Sequence, residues 1–213
     1  MSTEPTLPTL FIDFDNCKFS TKLAEMAYIN WRYGVNSVPA DYADSFWIDE
    51  ILAKYLPPEK IPSREEIYRD LTLNYLTSIE HHASIEPMEG ICEVLPLLAK
   101  RYSLWTVTAR VKTSQTVVMH MNELHVPGCI SGVHHVWDFV EGKFKKIASK
   151  RDFIASFAGK KVGFIDDSPT EVLEVDGVVP AFLFDPHHQH DGNTRIQRRV
   201  RNWHEIGEIF LAA

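Results

Sequence analysis

The sequence predicts an α/β fold, a doubly wound parallel sheet (a Rossmann-like core) with a helical block inserted after the first strand. Three observations predict it. Short β-rich runs alternate with helical segments through the second half of the chain. Residues 18–86 interrupt that rhythm with three helical patterns in succession and no convincing strand. Two apolar runs, one near each end, close in paired carboxylates: Phe11-Ile12 runs into Asp13 and Asp15, and Val162-Gly163-Phe164-Ile165 into Asp166 and Asp167. In open α/β sheets functional groups gather beyond the carboxyl ends of the strands, so strands remote in sequence bring such pairs together.

The elements follow in order. Strands are expected at 10–13, 103–108, 134–137, 162–165 and 179–184, and helices at 90–101, 114–124, 150–157, 170–175 and 202–211. Within the inserted block Leu23, Ala27 and Trp31 recur every four residues before Gly34, a C-terminal stop. Trp47, Ile51 and Tyr55 repeat the pattern until Pro57-Pro58 ends it. Ser63 followed by Glu66 is a capping-box signature, after which Ile67, Leu71, Tyr75 and Ile79 form an apolar stripe. The division expected is a catalytic core of 1–17 and 87–213 and a helical cap of 18–86.

Composition narrows the function. A chain of 213 residues, 45% hydrophobic and 24% charged, can bury one domain's core plus an insertion. No apolar run approaches the ~20 residues that span a bilayer, and MSTEPTLPTLFIDFD lacks the basic and apolar regions of a secretory signal, so a cytoplasmic protein without a membrane partner is expected. Cys17, Cys92 and Cys129 show no CxxC spacing, which argues against a disulfide framework or structural zinc. A net charge of −7 argues against a nucleic acid polymer as partner. Arg195, Arg198, Arg199 and Arg201 read as a solvated basic face.

The carboxylates pose an electrostatic problem: four of them at one sheet edge repel strongly unless a cation sits among them, and hard oxygen ligands favour Mg²⁺. Phosphoryl transfer asks for in-line positioning and neutralised phosphoryl oxygens, and an aspartate nucleophile divides hydrolysis into two displacements. Asp13 fits that role. Asp15, two residues on, points to the same side of an extended strand and can reach the leaving oxygen as acid and base, for which its pKa must lie above the ~3.9 of free Asp. Thr108 supplies a hydroxyl and Lys150 a charge for the phosphoryl oxygens. Thr106 shares the alternation of Thr108, and Lys143, Lys145 and Lys146 compete with Lys150, which is preferred because it opens the helix leading to Asp166.

With these motifs in order, the chain resembles the haloacid dehalogenase-like (HAD) phosphohydrolases. FIDFDNC is similar to their first motif, LWTVTAR to the second, Lys150 in ASKRDFI to the third and VGFIDDSP to the fourth, while EPMEGICEVLPLLAKRY is similar to the return from an inserted cap. Cys17 stands where the family has Thr or Val, a small buried group of similar volume. The resemblance implies a Mg²⁺ site formed by Asp13, the backbone carbonyl of Asp15 and Asp166, with Asp167 assisting, and a small-molecule phosphate ester as substrate.

FLFDPHHQH followed by NWHEI is similar to a segment of 5′-nucleotidases and deoxyribonucleotidases, which implies a nucleoside monophosphate, with sugar phosphates as the alternative. A HAD-fold binding or regulatory module is the reading from another class. His187, His188 and His190 with Asp185 and Asp191 read as a solvated loop, and the pairs His81-His82 and His134-His135 take the same reading. Trp31, Tyr33, Phe46, Trp47 and Tyr75 read as packing in the inserted block.

Overall fold

The computed structural model describes residues 7–42 and 47–212; Phe46 lies outside them. Strand β1 (Thr9–Ile12) is followed by helices α1 (Thr21–Tyr33), α2 (Ile48–Leu52), α3 (Arg64–Asp70) and α4 (Ile79–His82). A π-helical turn, Leu71–Tyr75, continues α3. Then come α5 (Ile91–Ala99), β2 (Ser103–Val111), α6 (Gln115–His125), β3 (Ile130–Val140), β4 (Lys143–Lys146) and α7 (Lys150–Ser156). The chain ends with β5 (Lys161–Asp166), α8 (Pro169–Val175), β6 (Ala181–Phe184), β7 (Arg199–Val200) and α9 (Trp203–Leu211).

The sheet has the order β4-β3-β2-β1-β5-β6-β7, parallel throughout except for β4. β1 is central and wholly buried, as its unbroken apolar run requires when both faces are covered. Leu10 and Ile12 pack with Val94, Leu98, Ile206 and Phe210 of α5 and α9, whereas Phe11 packs with Ile154, Phe164 and Val172 on the other face. Ile12 lies level with Thr106 of β2 and Ile165 of β5, so the residues just beyond Ile12 emerge beside the ends of both neighbours.

The inserted block carries its own apolar cluster, with Tyr28, Ile29, Ile48, Leu52, Ile67, Leu71 and Tyr75 as members. Ser63 caps α3 with the reciprocal Ser63–Glu66 bonds of a capping box. Gly34 ends α1 at φ +65°, the left-handed conformation that favours glycine. The Leu23, Ala27 and Trp31 stripe, expected to face inward, faces solvent: Leu23 is 53% and Trp31 72% exposed. Tyr28 and Ile29 form the buried face instead, because the π turn supplies Tyr75, whose ring lies 5.1 Å from that of Tyr28. Ile79 and Tyr55 are likewise exposed at the ends of their stripes.

The β3–β4 hairpin was not expected. Its turn, Glu141-Gly142, has both residues at positive φ, 52° and 79°, which suits a two-residue hairpin. Strand β4 carries exposed lysines and no buried apolar row to announce it. Lys143, Lys145 and Lys146 therefore sit on an exposed strand, as the solvated reading required. Arg199 and Arg201 are not freely solvated: Arg201 meets Asp185 at 3.0 Å and Asp191 at 2.6 Å, and Arg199 lies 3.8 Å from Asp185. Arg198 pairs with Asp176 at 2.6 Å. No described helix is long and apolar enough to cross a membrane.

One buried group stands out in the core. Lys18 is fully buried, its ammonium donating to Thr106 Oγ1 and, at 2.8 Å, to Asn122 Oδ1. Burial drives its pKa down to about 7. Between that value and the ordinary 10.5 the unfolded chain binds the proton more readily, so stability rises with pH across this window, by at most ~1.4 kcal/mol per pH unit. Lys18→Met is expected to flatten this slope between pH 7 and 10. Urea melts at pH 7, 8.5 and 10 check it; equal slopes in both proteins contradict it.

Candidate functional site

The site forms where β1, β2 and β5 end. Asp13 follows β1, and its amide donates to the Ile165 carbonyl at 2.9 Å, which ties it to β5. Asp166 closes β5; its Oδ1 accepts from the Ser168 amide at 2.8 Å, at the N-cap of α8. Lys150 is the first residue of α7, held there by Ser149, whose hydroxyl accepts from the Asp152 amide. From this position its Nζ donates to Asp13 Oδ1 at 2.7 Å and to Asp166 Oδ2 at 2.6 Å. Asp13, Asp166 and Lys150 are all buried, and Asp13, Asp166 and Asp167 bring carboxylate oxygens within 4.8 Å of one another.

These carboxylates are under electrostatic load. Burial, opposed by Lys150 and assisted by repulsion from Asp166 and Asp15, pushes Asp13 up to about 7. Asp166 is also raised, chiefly by burial, and Asp167 is raised well above the carboxylate range by burial and by its two neighbours. Burial would discharge Lys150, but Asp13 and Asp166 outweigh it and hold the ammonium charged. Three clustered carboxylates stand against one ammonium, which pairs with Asp13 and Asp166, an excess of two negative charges when all are ionised. An all-oxygen donor set with that excess fits a hard divalent cation.

Asp15 departs from expectation. Its carboxylate turns away from the other three to Arg110, with Nε at 3.1 Å from Oδ1 and 3.0 Å from Oδ2, and Nη2 at 2.8 Å from Oδ1. Burial raises its pKa, but the bidentate guanidinium outweighs burial and holds Asp15 below the ordinary value. The expected upward shift is thus reversed, because the nearest charge is a cation rather than a carboxylate.

Arg110 also donates from Nη1 to His82 Nε2 at 2.8 Å. Nδ1 of His82 faces the Ser78 carbonyl at 2.8 Å, which assigns the proton to Nδ1 and leaves Nε2 to accept. Burial and Arg110 hold this imidazole neutral, with its pKa down to about 4. His82, set aside with the solvated pairs, therefore links the helical block to the site. Arg110 was overlooked as well, although it lies two residues beyond Thr108 and continues the alternation of Thr106 and Thr108.

Thr108 is buried and its Oγ1 accepts from the Arg110 amide at 3.1 Å, leaving its O–H free to donate. Thr106 instead accepts from Lys18, so the two threonines are distinguished by their partners. Cys17 is buried and its thiol is pushed well up by burial and the nearby carboxylates, which keeps it protonated and inert. His134 stacks flat on Phe153 at 3.9 Å, a packing role. In the 185–191 loop Asp185 accepts from the amides of Gln189 and His190, and His188 pairs with Asp191 at 3.0 Å.

No family model matches the sequence, and no curated protein matches it. Solved structures do match. A haloacid dehalogenase-like hydrolase family protein from Streptococcus pneumoniae superposes with a TM-score of 0.63 at 15% identity, over 96% of this chain and 98% of that one. A predicted phosphatase from Clostridium acetobutylicum gives 0.65 at 11% identity, over 98% and 100%. YfnB of Bacillus subtilis, described as a HAD-hydrolase bound to magnesium, gives 0.59 at 15% identity, over 97% and 99%. With the seven-stranded sheet in the order found and these matches along nearly the whole length, the chain has the haloacid dehalogenase-like fold.

Proposed function

We propose that this chain is a phosphatase that hydrolyses small phosphomonoesters through an aspartyl phosphate on Asp13. The observation that carries the reading is Lys150 bridging Asp13 and Asp166 at 2.7 and 2.6 Å, with Asp167 alongside, at the mouth of the central strand. Asp13 Oδ1 is held by the lysine, which fixes the carboxylate while its other oxygen attacks phosphorus. The bond from phosphorus to the ester oxygen breaks, and Asp15 hands that oxygen a proton and later takes one from the hydrolytic water. Arg110 holds Asp15 ionised, so for this Asp15 must first part from Arg110 and take up a proton from solvent. Thr108 and Lys150 donate to the phosphoryl oxygens as their charge grows. Asp13, Asp166, Asp167 and the backbone carbonyl of Asp15 would hold Mg²⁺, which when bound neutralises charge and polarises a phosphoryl oxygen.

Residues 18–86 are proposed as the cap that selects the leaving group, with His82 and its partner Arg110 at the seam. The matching structures described as phosphatases, and the magnesium in YfnB, support this reading. A second reading, a module that binds a phosphorylated ligand without turnover, is favoured by one observation: the bidentate Arg110–Asp15 pair occupies the acid. The nucleoside monophosphate expectation gains nothing from the tail, where Asp185 serves the loop amides and Arg201.

The test is release of inorganic phosphate from an aryl phosphate and a panel of phosphorylated metabolites. Release with Mg²⁺, abolished by chelation and restored by the ion, is expected. Absence of release from every ester favours the binding module. Asp166→Ala is expected to weaken Mg²⁺ binding at least tenfold by calorimetry while the circular dichroism of the fold is kept. Unchanged affinity would remove Asp166 from the ligand set.

A further inference from the structure

The loop of residues 14–18, which carries Asp15, is docked on β2 at two points. Asp15 holds Arg110 at one, and Lys18 donates to Thr106 Oγ1 at the other. Thr106, Thr108 and Arg110 stand at every second residue of β2, so Thr108 lies between the two ties. The buried ring of Phe14 packs between the same two cations, its centre 4.8 Å from the Arg110 guanidinium and 5.4 Å from Lys18 Nζ. The loop is closed on itself as well. The amides of Lys18 and Phe19 donate to the Phe14 carbonyl at 3.2 and 3.4 Å, and that of Asn16, at φ +49°, donates to the Phe19 carbonyl at 2.8 Å. In so tight a turn, what anchors Lys18 also places Asp15.

Lys18 is anchored on two further elements. Its Nζ donates to Asn122 Oδ1 of α6 at 2.8 Å, and its carbonyl accepts from the Met88 amide at 2.8 Å, on the segment that returns from the helical block. The side-chain partners are neutral oxygens, against which a fully buried amine costs more than a methionine of similar length would. Packing therefore does not account for a lysine here; the direction of its bonds does. The two ties also fare differently in the proposed reaction. Asp15 must leave Arg110 before it can act as acid, and among the described residues the Lys18–Thr106 bond is then the side-chain hydrogen bond left between loop and β2.

We propose that Lys18 is a positioning residue for the acid: through Thr106 it holds the loop in register with β2, so that Asp15, once free of Arg110, stays beside the leaving oxygen. The inference rests on the phosphatase reading and deepens it.

The test separates proton donation from the rest of the reaction. p-Nitrophenyl phosphate releases a phenolate that needs no proton, whereas an alkyl phosphate releases an alkoxide that does. Since kcat/KM covers the steps through departure of that group, the ratio of kcat/KM for the alkyl ester best used by the wild-type protein to that for the aryl ester reports on the acid. Asp15→Asn is expected to lower this ratio most. Lys18→Met and Thr106→Val, which cut the tie from either end, are each expected to lower it about tenfold, the scale of a small displacement of a reacting group. The double variant is expected to fall no further than either single one, because both remove the same bond. A merely structural lysine would depress both esters alike and leave the ratio unchanged. Thr106→Val exchanges a hydroxyl for a methyl of similar size, so it decides the matter where Lys18→Met folds poorly. Unchanged ratios in the variants that fold, or a wild-type protein that hydrolyses the aryl ester alone, overturn the positioning role and leave the phosphatase reading standing. No phosphate release from any ester by the wild-type protein overturns the phosphatase reading, and the positioning role falls with it.

Discussion

Asp13→Asn is expected to lower kcat for phosphate release by on the order of 10⁴-fold or more, the scale of losing a nucleophile, while the fold stands. The carboxamide has nearly the shape of the carboxylate but cannot form an acyl phosphate. Lys150 keeps Asp166 as a partner at 2.6 Å, so the ammonium is not orphaned. Stability moves the other way. Asp13 is pushed from an ordinary 3.8 to about 7 in the folded protein, so the native state binds its proton more tightly than the unfolded chain. Its contribution is therefore fully present below pH 3.8 and lost as pH rises through about 7, beyond which the buried charge is a standing penalty. An amide carries no such penalty. With a chelator present, the variant's Tm relative to the parent is expected to rise from pH 5 to pH 8. Activity within tenfold of the parent would assign the nucleophile elsewhere.

That Asp13, Asp166 and Lys150 converge was legible because each sits at the start or end of an element whose type the sequence declares. β1 is an unbroken apolar run in the centre of the sheet, and Ser149 is an N-cap that sets the first residue of α7. Such positions leave little freedom. The direction of Asp15 was not legible, since alternation gives the side of a strand but not the partner waiting there, and Arg110 belongs to a strand remote in sequence. His82 was hidden for a similar reason: a histidine next to another in a polar stretch carries no periodic signal, and only the return of the helical block to β2 gives it a partner. The face of α1 was misjudged because the helix is apolar on more than one side, and tertiary packing against Tyr75 chose between them.

Lys150→Met is expected to destabilise the folded protein by about 3–5 kcal/mol, the scale of removing one partner from a buried ion pair. Methionine fills much of the aliphatic volume, so the loss is electrostatic rather than a cavity. Asp13 and Asp166 lose donors at 2.7 and 2.6 Å at a buried site. The pH dependence identifies the cause. Lys150 is held well above 10.5, so it stays charged throughout pH 5–9 and its own titration adds no slope there. The orphaned carboxylates do titrate: they relieve the strain by taking up protons, so the destabilisation is expected to be larger at pH 8 than at pH 5. Denaturant melts of parent and variant at both pH values, in chelator, measure it; a loss below about 1 kcal/mol, or one equal at the two pH values, contradicts it. Catalysis is expected to fall with stability, by about 10²-fold, because one ammonium both steadies Asp13 and meets the phosphoryl oxygens. In Asp13→Asn the two quantities separate, activity lost and stability kept, and this contrast distinguishes a nucleophile from the cation that holds it in place.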